Sequence, residues 1–453
     1  MQRLHNRRFG LNFAPRWGFA LIVGALLLAV LPASAQAANR VAFVSSSGQL
    51  IIGSGDGGFR WIVTNPGERL VPSLGFTWAP RGDQLFFAVD QGGEVSLRIA
   101  EIAAQATLEI GRVGGSGLSG GEWTADGRAV LIAANDAIRL YAADGSGPTA
   151  VVTGQGAVRV ISPFVTERPN LPTQRSLAPD DRYLLFQGAG GRYAVQTVSG
   201  GSPTITALTN NADAAQVGLW SDVAPLVAYW GSSGTSQVAV TNAATGETLT
   251  LDSGRTAPIT PIGWRPGTTQ LAYRGADGGV RLADLGCLEA GCGSNPLNDG
   301  VALLPATAAN IQLDQDWAYF SDGEAIQALG LDCAAAGNCQ NAAFTLGANA
   351  APQTLMHIAG ARLVYTAYTQ NATDITDREV RLLDLGCLNN PSSCAPQPVF
   401  GGAVAGLLSA DGAFVTISIR GDGIYALDLA RIDTAYLTDL VSGTDLLLTA
   451  RWN

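Results

Sequence analysis

The sequence predicts an all-β chain, a single closed β-propeller of about nine four-stranded blades, with eight as the lower count. Three observations carry that expectation. A marker returns at intervals of 43 to 54 residues, at Trp78, Trp123, Leu177, Trp220, Trp264, Asn310, Met356, Leu408 and Trp452. In the clearest copies a Pro/Asp/Gly turn follows, then an apolar strand with an aromatic or Ile nine residues on, as from Trp78 to Phe87 and from Trp123 to Ile132. The two ends of the chain complement each other. A fixed period of this length with several short strands per repeat is the signature of propeller blades.

Taken in order, residues 1–37 read as a signal peptide. Arg3, Arg7, Arg8 and Arg16 precede the apolar run Phe19–Leu31, and small residues around Ala33–Ala37 supply a cleavage site. The run of 13 residues is short of the roughly 20 that a membrane span needs. The propeller domain is then residues 38–453. It opens with Arg40-Val-Ala-Phe43, a second strand without its marker strand, and closes with Leu446–Trp452, a marker strand without its followers. Pairing the two completes one blade and removes two exposed sheet edges. Between them, short apolar runs separated by Gly/Asp turns alternate at strand spacing, as in Leu85–Val89, Val95–Ile102 and Thr107–Val113. The faintest copy is around Ile311–Phe320.

Composition agrees. The chain is 47% hydrophobic and only 14% charged, with 56 Gly, which suits turn-dense β structure. Loss of the leader removes four of 27 basic residues, all of them Arg, and none of 37 acidic ones, leaving a net charge of −14. That excludes nucleic acid and anionic membrane surfaces as natural partners, since both demand basic patches. Six cysteines form three close pairs, each after an apolar strand. In an exported chain they predict disulfides Cys287–Cys292, Cys333–Cys339 and Cys387–Cys394, each clipping a loop that leaves the third strand of its blade.

The repeats Trp123-Thr-Ala-Asp-Gly127 and Leu408-Ser-Ala-Asp-Gly412 resemble the TolB-type, or WD40-like, propeller repeat. Leu177-Ala-Pro-Asp-Asp181 and Trp78-Ala-Pro-Arg-Gly82 match it in part. The resemblance covers nearly all of residues 38–453. It implies blade geometry, with Trp78, Trp123, Trp220, Trp264 and Trp452 packed between blades, rather than one activity. The family hosts envelope proteins, peptidase accessory domains and sensors.

Motifs for catalysis are sparse. The one histidine after the leader, His357, sits beside Met356 in a marker strand, where packing between blades explains it. Gly117-Leu-Ser-Gly-Gly121 matches a nucleophile elbow by letter, but that elbow needs a strand-to-helix turn. Asp314, Asp316 and Asp322 lack calcium-loop spacing. The chain therefore predicts no metal and no cofactor. Two repeats are longer than the rest, and loops on a rigid scaffold are where binding concentrates. The binding candidates are Arg159, Phe164 and Arg168 in one insertion and Asp374, Asp377 and Glu379 in the other.

The functional expectation is an exported, non-catalytic scaffold, periplasmic, cell-surface or extracellular, that binds a protein or glycan. It would be a monomer or part of an envelope assembly, with no membrane span after cleavage. The second expectation is a propeller enzyme, of lyase, lactonase or glycosidase type, using carboxylates at the channel mouth. Intact-mass measurement of exported protein is expected to show a start between Ala35 and Asn39. A mass that retains residues 1–31 would make the leader an anchor.

Overall fold

Strand pairing in the computed structural model gives nine antiparallel sheets among the described residues, arranged as a nine-bladed propeller. The structure describes residues 39–453 except 115–116, 157, 164–173, 199–203, 209–215, 233–235, 255–259, 291, 293–299, 336–338, 340–342, 349–355, 369–377, 433–436 and 443–449. Blade 1 joins the chain ends in the order Arg451–Trp452, Arg40–Val44, Leu50–Ser54, Arg60–Ile62. Blades 2 to 9 follow in sequence, with first strands ending at Trp78, Trp123, Leu177 (an isolated bridge), Trp220, Trp264, Leu313, Ala359 and Leu408.

The second strands are continuous apolar runs because both of their faces are covered by neighbouring blades. Leu85, Phe86, Phe87, Ala88 and Val89 are all fully buried. The fourth strands, such as Ala106–Gly114, are mostly exposed and form the rim. The first strands of neighbouring blades touch one another, which places them around the axis. The core is thus a set of seams. Phe86, Ala88, Leu97 and Ile99 of blade 2 pack on Trp123, Val130, Ile132 and Tyr141 of blade 3.

Antiparallel order puts the first-to-second and third-to-fourth connections on one face of the ring. The second-to-third and blade-to-blade connections lie on the other. The three predicted disulfides are present, in the third-to-fourth connections of the consecutive blades 6, 7 and 8. Loops this short contribute about 2 kcal/mol each on the chain-entropy account. They seat Leu285, Leu288, Leu331 and Leu388 in the core.

The faint copy is a full blade. Ala309–Leu313, Trp317–Ser321, Ala325–Gly330 and Ala343–Ala348 form blade 7, so the count is nine. Register corrects the marker in two repeats. Trp78, Trp123, Trp220 and Trp264 each pair with a residue seven positions on, but Leu313 pairs with Ala318 and Ile358 with Leu363, five on. The turns of blades 7 and 8 are two residues shorter, so the equivalents of the tryptophans are Leu313 and Ile358 rather than Asn310 and Met356. The Asp-Gly turns are structural. Thr124 Oγ1 donates to Asp126 Oδ1 at 2.8 Å and Ser409 Oγ to Asp411 Oδ1 at 2.7 Å, with Gly127 and Gly412 both at φ 69°.

Closure follows the expected pairing. Val41 pairs with Trp452 and Ala42 with Arg451, while residues 443–449 lie outside the described ones. Asn453 extends the seal: its Oδ1 accepts from the Arg40 N–H at 2.9 Å, and its Nδ2 donates to Gly82 O at 3.3 Å. Deleting residues 445–453 is expected to lower the melting temperature and promote association through bared edges. Losing a packed Trp alone costs about 3–5 kcal/mol. A truncated protein that melts with the full-length chain and stays monomeric would contradict closure by this strand.

Candidate functional site

Five of the nine seams are tied near the axis by a hydrogen bond from a tryptophan to the first strand of the preceding blade. All five marker tryptophans donate their indole N–H this way. Trp78 reaches Arg451 O, Trp123 reaches Thr77 O and Trp264 reaches Leu219 O, each at 3.0 Å. Trp220 reaches Arg175 O at 3.1 Å, and Trp452 reaches Leu407 O at 2.9 Å. A buried indole N–H needs a partner, and a neighbouring strand carbonyl supplies it. Gly218 permits the approach at one seam. It sits at φ +96°, and a Cβ there would lie 2.8 Å from Arg175 O, the acceptor of Trp220.

Blades 4 and 9 carry Leu177 and Leu408 in place of Trp, and there the preceding blade supplies the tie. Glu122, just before Trp123, accepts the N–H of Ser176 at 2.7 Å and of Leu177 at 3.2 Å, and pairs with Arg175 Nε at 3.0 Å. His357, just before Ile358, accepts the Leu408 N–H on Nδ1 at 3.0 Å. Gln312, just before Leu313, donates to Met356 O at 2.6 Å.

The first two ties share a geometry. The peptide from Arg175 to Ser176 gives its N–H to Glu122 of blade 3 and its carbonyl to Trp220 of blade 5. The peptide from Leu407 to Leu408 gives its N–H to His357 of blade 8 and its carbonyl to Trp452 of blade 1. One peptide is gripped from both neighbouring blades. Such chained bonds polarise and strengthen one another.

Burial pushes the Glu122 carboxyl up to about 7, against the Arg175 charge and the Ser176 and Leu177 N–H donors. Burial alone pushes His357 down to about 4. Its acceptor role fixes the neutral imidazole with the proton on Nε2.

Glu122 and Arg175 also border the pocket where the first strands of blades 1, 2 and 3 meet. It holds about 340 Å³ and is lined chiefly by Trp78, Trp123, Trp452, Glu122, Arg175 and Arg451. The indole N–H groups are turned to backbone carbonyls, so the tryptophans offer only apolar surface. Arg175 is about one-third exposed (32%) and presents the accessible charge. The pocket wall carries one carboxylate, already held by three donors. A second cavity of about 550 Å³ lies between blades 6 and 7, with Leu303, Leu304, Phe320 and Leu329 on its walls. Among the described residues no group of three or more His, Cys, Asp or Glu is placed to hold a metal.

Of the residues the sequence pointed to, Phe164, Arg168, Asp374 and Asp377 lie outside the described ones. Arg159 is exposed, and its backbone bridges to Gln187 through two 2.8 Å bonds, stitching blade 3 to blade 4. Glu379 is corrected from loop to strand. It belongs to Arg378–Asp384, pairs across with Ala367 and Gly401, and forms an ion pair with Arg381. Ser119 of the elbow-like stretch is also in a strand, where its hydroxyl accepts the Val160 N–H at 3.0 Å. Asp314 caps its hairpin through the N–H groups of Asp316 and Trp317 at 2.8 and 2.7 Å. Sequence reasoning missed Glu122 and Arg175. The available signal was an acid inside an innermost strand, Ser119-Gly-Gly-Glu-Trp123.

No protein-family model matches this chain, and no curated protein matches it in sequence. Solved structures do. A eukaryotic initiation factor superposes with TM-score 0.56 at 11% identity, over 92% of this chain and 98% of that one. TolB from Acinetobacter baumannii gives TM-score 0.33 at 16% identity over 57% and 66%. A prolyl endopeptidase gives 0.38 at 15% over 79% of this chain, which spans only 60% of its length. At these identities the likeness speaks for the propeller fold alone.

Removing the Arg175 charge by Arg175→Ala leaves a buried carboxyl without its counterion. Its folded pKa then rises further above the unfolded value near 4.3, so the stability deficit is small below that value and grows as pH rises through 7. Urea unfolding is expected to show a deficit about 1 kcal/mol larger at pH 8 than at pH 5. Equal deficits at both would contradict the assignment.

Proposed function

We propose that this protein is an exported, non-catalytic propeller of TolB-like, WD40-like repeats that binds a protein or glycan partner. The observation that carries the reading is the axial pocket, where aromatic and cationic side chains surround a single carboxylate held by Arg175 and two backbone N–H groups. Acid–base hydrolysis or elimination by paired carboxylates needs a second one, free to exchange a proton. Export is supported by the leader-like residues 1–37 and by three disulfides, which persist in oxidising compartments. No helix among the described residues is long and apolar enough to cross a membrane.

Besides the pocket, which Pro80 of a first-to-second turn borders, the opposite face, with its blade-to-blade and second-to-third connections, is a second candidate surface. Both long insertions open there. One leaves the fourth strand of blade 3 after Thr153, and the other leaves Tyr368 and returns at Arg378 in blade 8. Arg159, Phe164, Arg168, Asp374 and Asp377 are its candidate contacts.

The test compares residues 38–453 with a variant in which 164–172 is replaced by a short Gly/Ser linker. Both are applied to a glycan array and to envelope extract, with mass spectrometry of retained proteins. The intact chain is expected to retain a defined ligand that the variant loses at unchanged melting temperature. Equal retention by both would remove this face. Turnover of an oligosaccharide that Glu122→Gln abolishes would favour the enzyme.

A further inference from the structure

The Leu407–Leu408 peptide stands at the joint between closure and the rest of the ring. Its carbonyl accepts the indole N–H of Trp452, the residue that seals blade 1, at 2.9 Å. Its N–H donates to His357 Nδ1 at 3.0 Å. A protonated imidazole carries hydrogen on both nitrogens and accepts from nothing. Protonation would therefore set two donors, Nδ1–H and the Leu408 N–H, against each other at hydrogen-bond distance inside a seam. We propose that the seam between blades 8 and 9 is an acid-sensitive joint, in which protonation of His357 breaks its bond to Leu408 and weakens the Trp452 tie that closes the ring.

The surroundings leave this imidazole as the group that decides. It is the only histidine in residues 38–453. The blade 9 strands packed against it, Ala403–Leu408 and Phe414–Ile419, contain no ionisable side chain. On its own blade the second strand brings Arg362, Tyr365 and Tyr368, and Arg362 Nη1 is turned to Gly412 O at 2.7 Å. The third strand brings the Arg381–Glu379 pair, Arg378 lying over the Tyr368 ring, and Asp384, whose carboxylate accepts the Gly386 N–H at 2.8 Å. In the blade 9 turn, Asp411 is held by Ser409, the Ala413 N–H and Asn39. Among the described residues no carboxylate offsets the charge of an imidazolium here, and burial holds the group neutral down to about pH 4.

The sign follows from linkage. The folded pKa lies below the unfolded value near 6.5, so the unfolded chain binds the proton more readily between the two. The contribution of His357 is fully present above about pH 6.5 and is lost as pH falls towards 4. The Thr366 hydroxyl, which accepts the Ala405 N–H at 2.9 Å in the same seam, does not titrate and keeps the blades apposed. Acid would therefore loosen the joint before it unfolds the ring.

His357→Asn is the discriminating variant, because its Oδ1 stands where Nδ1 stands and accepts without titrating. At pH 7.5 the two proteins should melt within about 1 °C of each other. At pH 4.5 wild type should melt about 2–4 °C below the variant, the shift for a few kcal/mol in a chain of this size. His357→Leu, with no acceptor, should be less stable than wild type at pH 7.5. Parallel pH profiles for wild type and His357→Asn would overturn the proposal. Should either variant fail to fold, amide exchange of wild type decides. Protection of the Leu408 amide, corrected for intrinsic rate, should fall about tenfold relative to Leu427 between pH 7 and 4.5. Unchanged relative protection would overturn it equally.

Discussion

The ring depends on a short hydrogen bond at its axis, from a side chain of one blade to a first-strand peptide of the next or the last. Hydrophobic packing drives the blades together, but it is non-directional and cannot by itself set the angle between two sheets. The indole N–H supplies direction. It anchors a large apolar ring in the seam and gives a first-strand carbonyl a donor from the neighbouring blade. Five of the nine seams are tied by Trp78, Trp123, Trp220, Trp264 and Trp452. Where Leu replaces Trp in blades 4 and 9, Glu122 and His357 reach forward to a backbone N–H instead.

That substitution makes the ring chemically uneven. Tryptophan ties are indifferent to pH, whereas the Glu122 and His357 ties are not. Burial shifts the two in opposite directions, the carboxyl up to about 7 and the imidazole down to about 4. Both groups favour their neutral forms in the seam, so rising pH strains one joint and falling pH strains the other. Glu122 has Arg175 to offset its charge, and among the described residues His357 has no counterpart. The blade 3–4 joint also borders the axial pocket, so a ligand that engages Arg175 would act on a structural tie.

Much of the architecture was legible because its signals are local. A Trp followed by an Asp-Gly turn fixes a hairpin within a dozen residues, and the incomplete repeats at Arg40–Phe43 and Leu446–Trp452 announced closure. The three cysteine pairs were legible for the same reason. The markers of blades 7 and 8 were misplaced because the Asp314–Asp316 and Gly360–Ala361 turns are short, and register is visible only once strands pair. Glu379 reads as loop from composition but lies in a strand across from Ala367. The roles of Glu122 and His357 were hidden for a deeper reason. Each is set by a peptide about 50 residues away, in the neighbouring blade, and nothing in the flanking residues encodes it.

Blades 8 and 1 are coupled through the peptide they grip jointly. His357 in blade 8 and Trp452 in blade 1 bind opposite ends of the Leu407–Leu408 peptide. A double-mutant cycle of His357→Leu and Trp452→Phe, followed by urea unfolding at pH 7.5, tests that claim most directly. A coupling energy of about 0.5 kcal/mol or more is expected, with the double variant less destabilised than the sum of the singles. Strict additivity would show that the two ties act independently, and would contradict it.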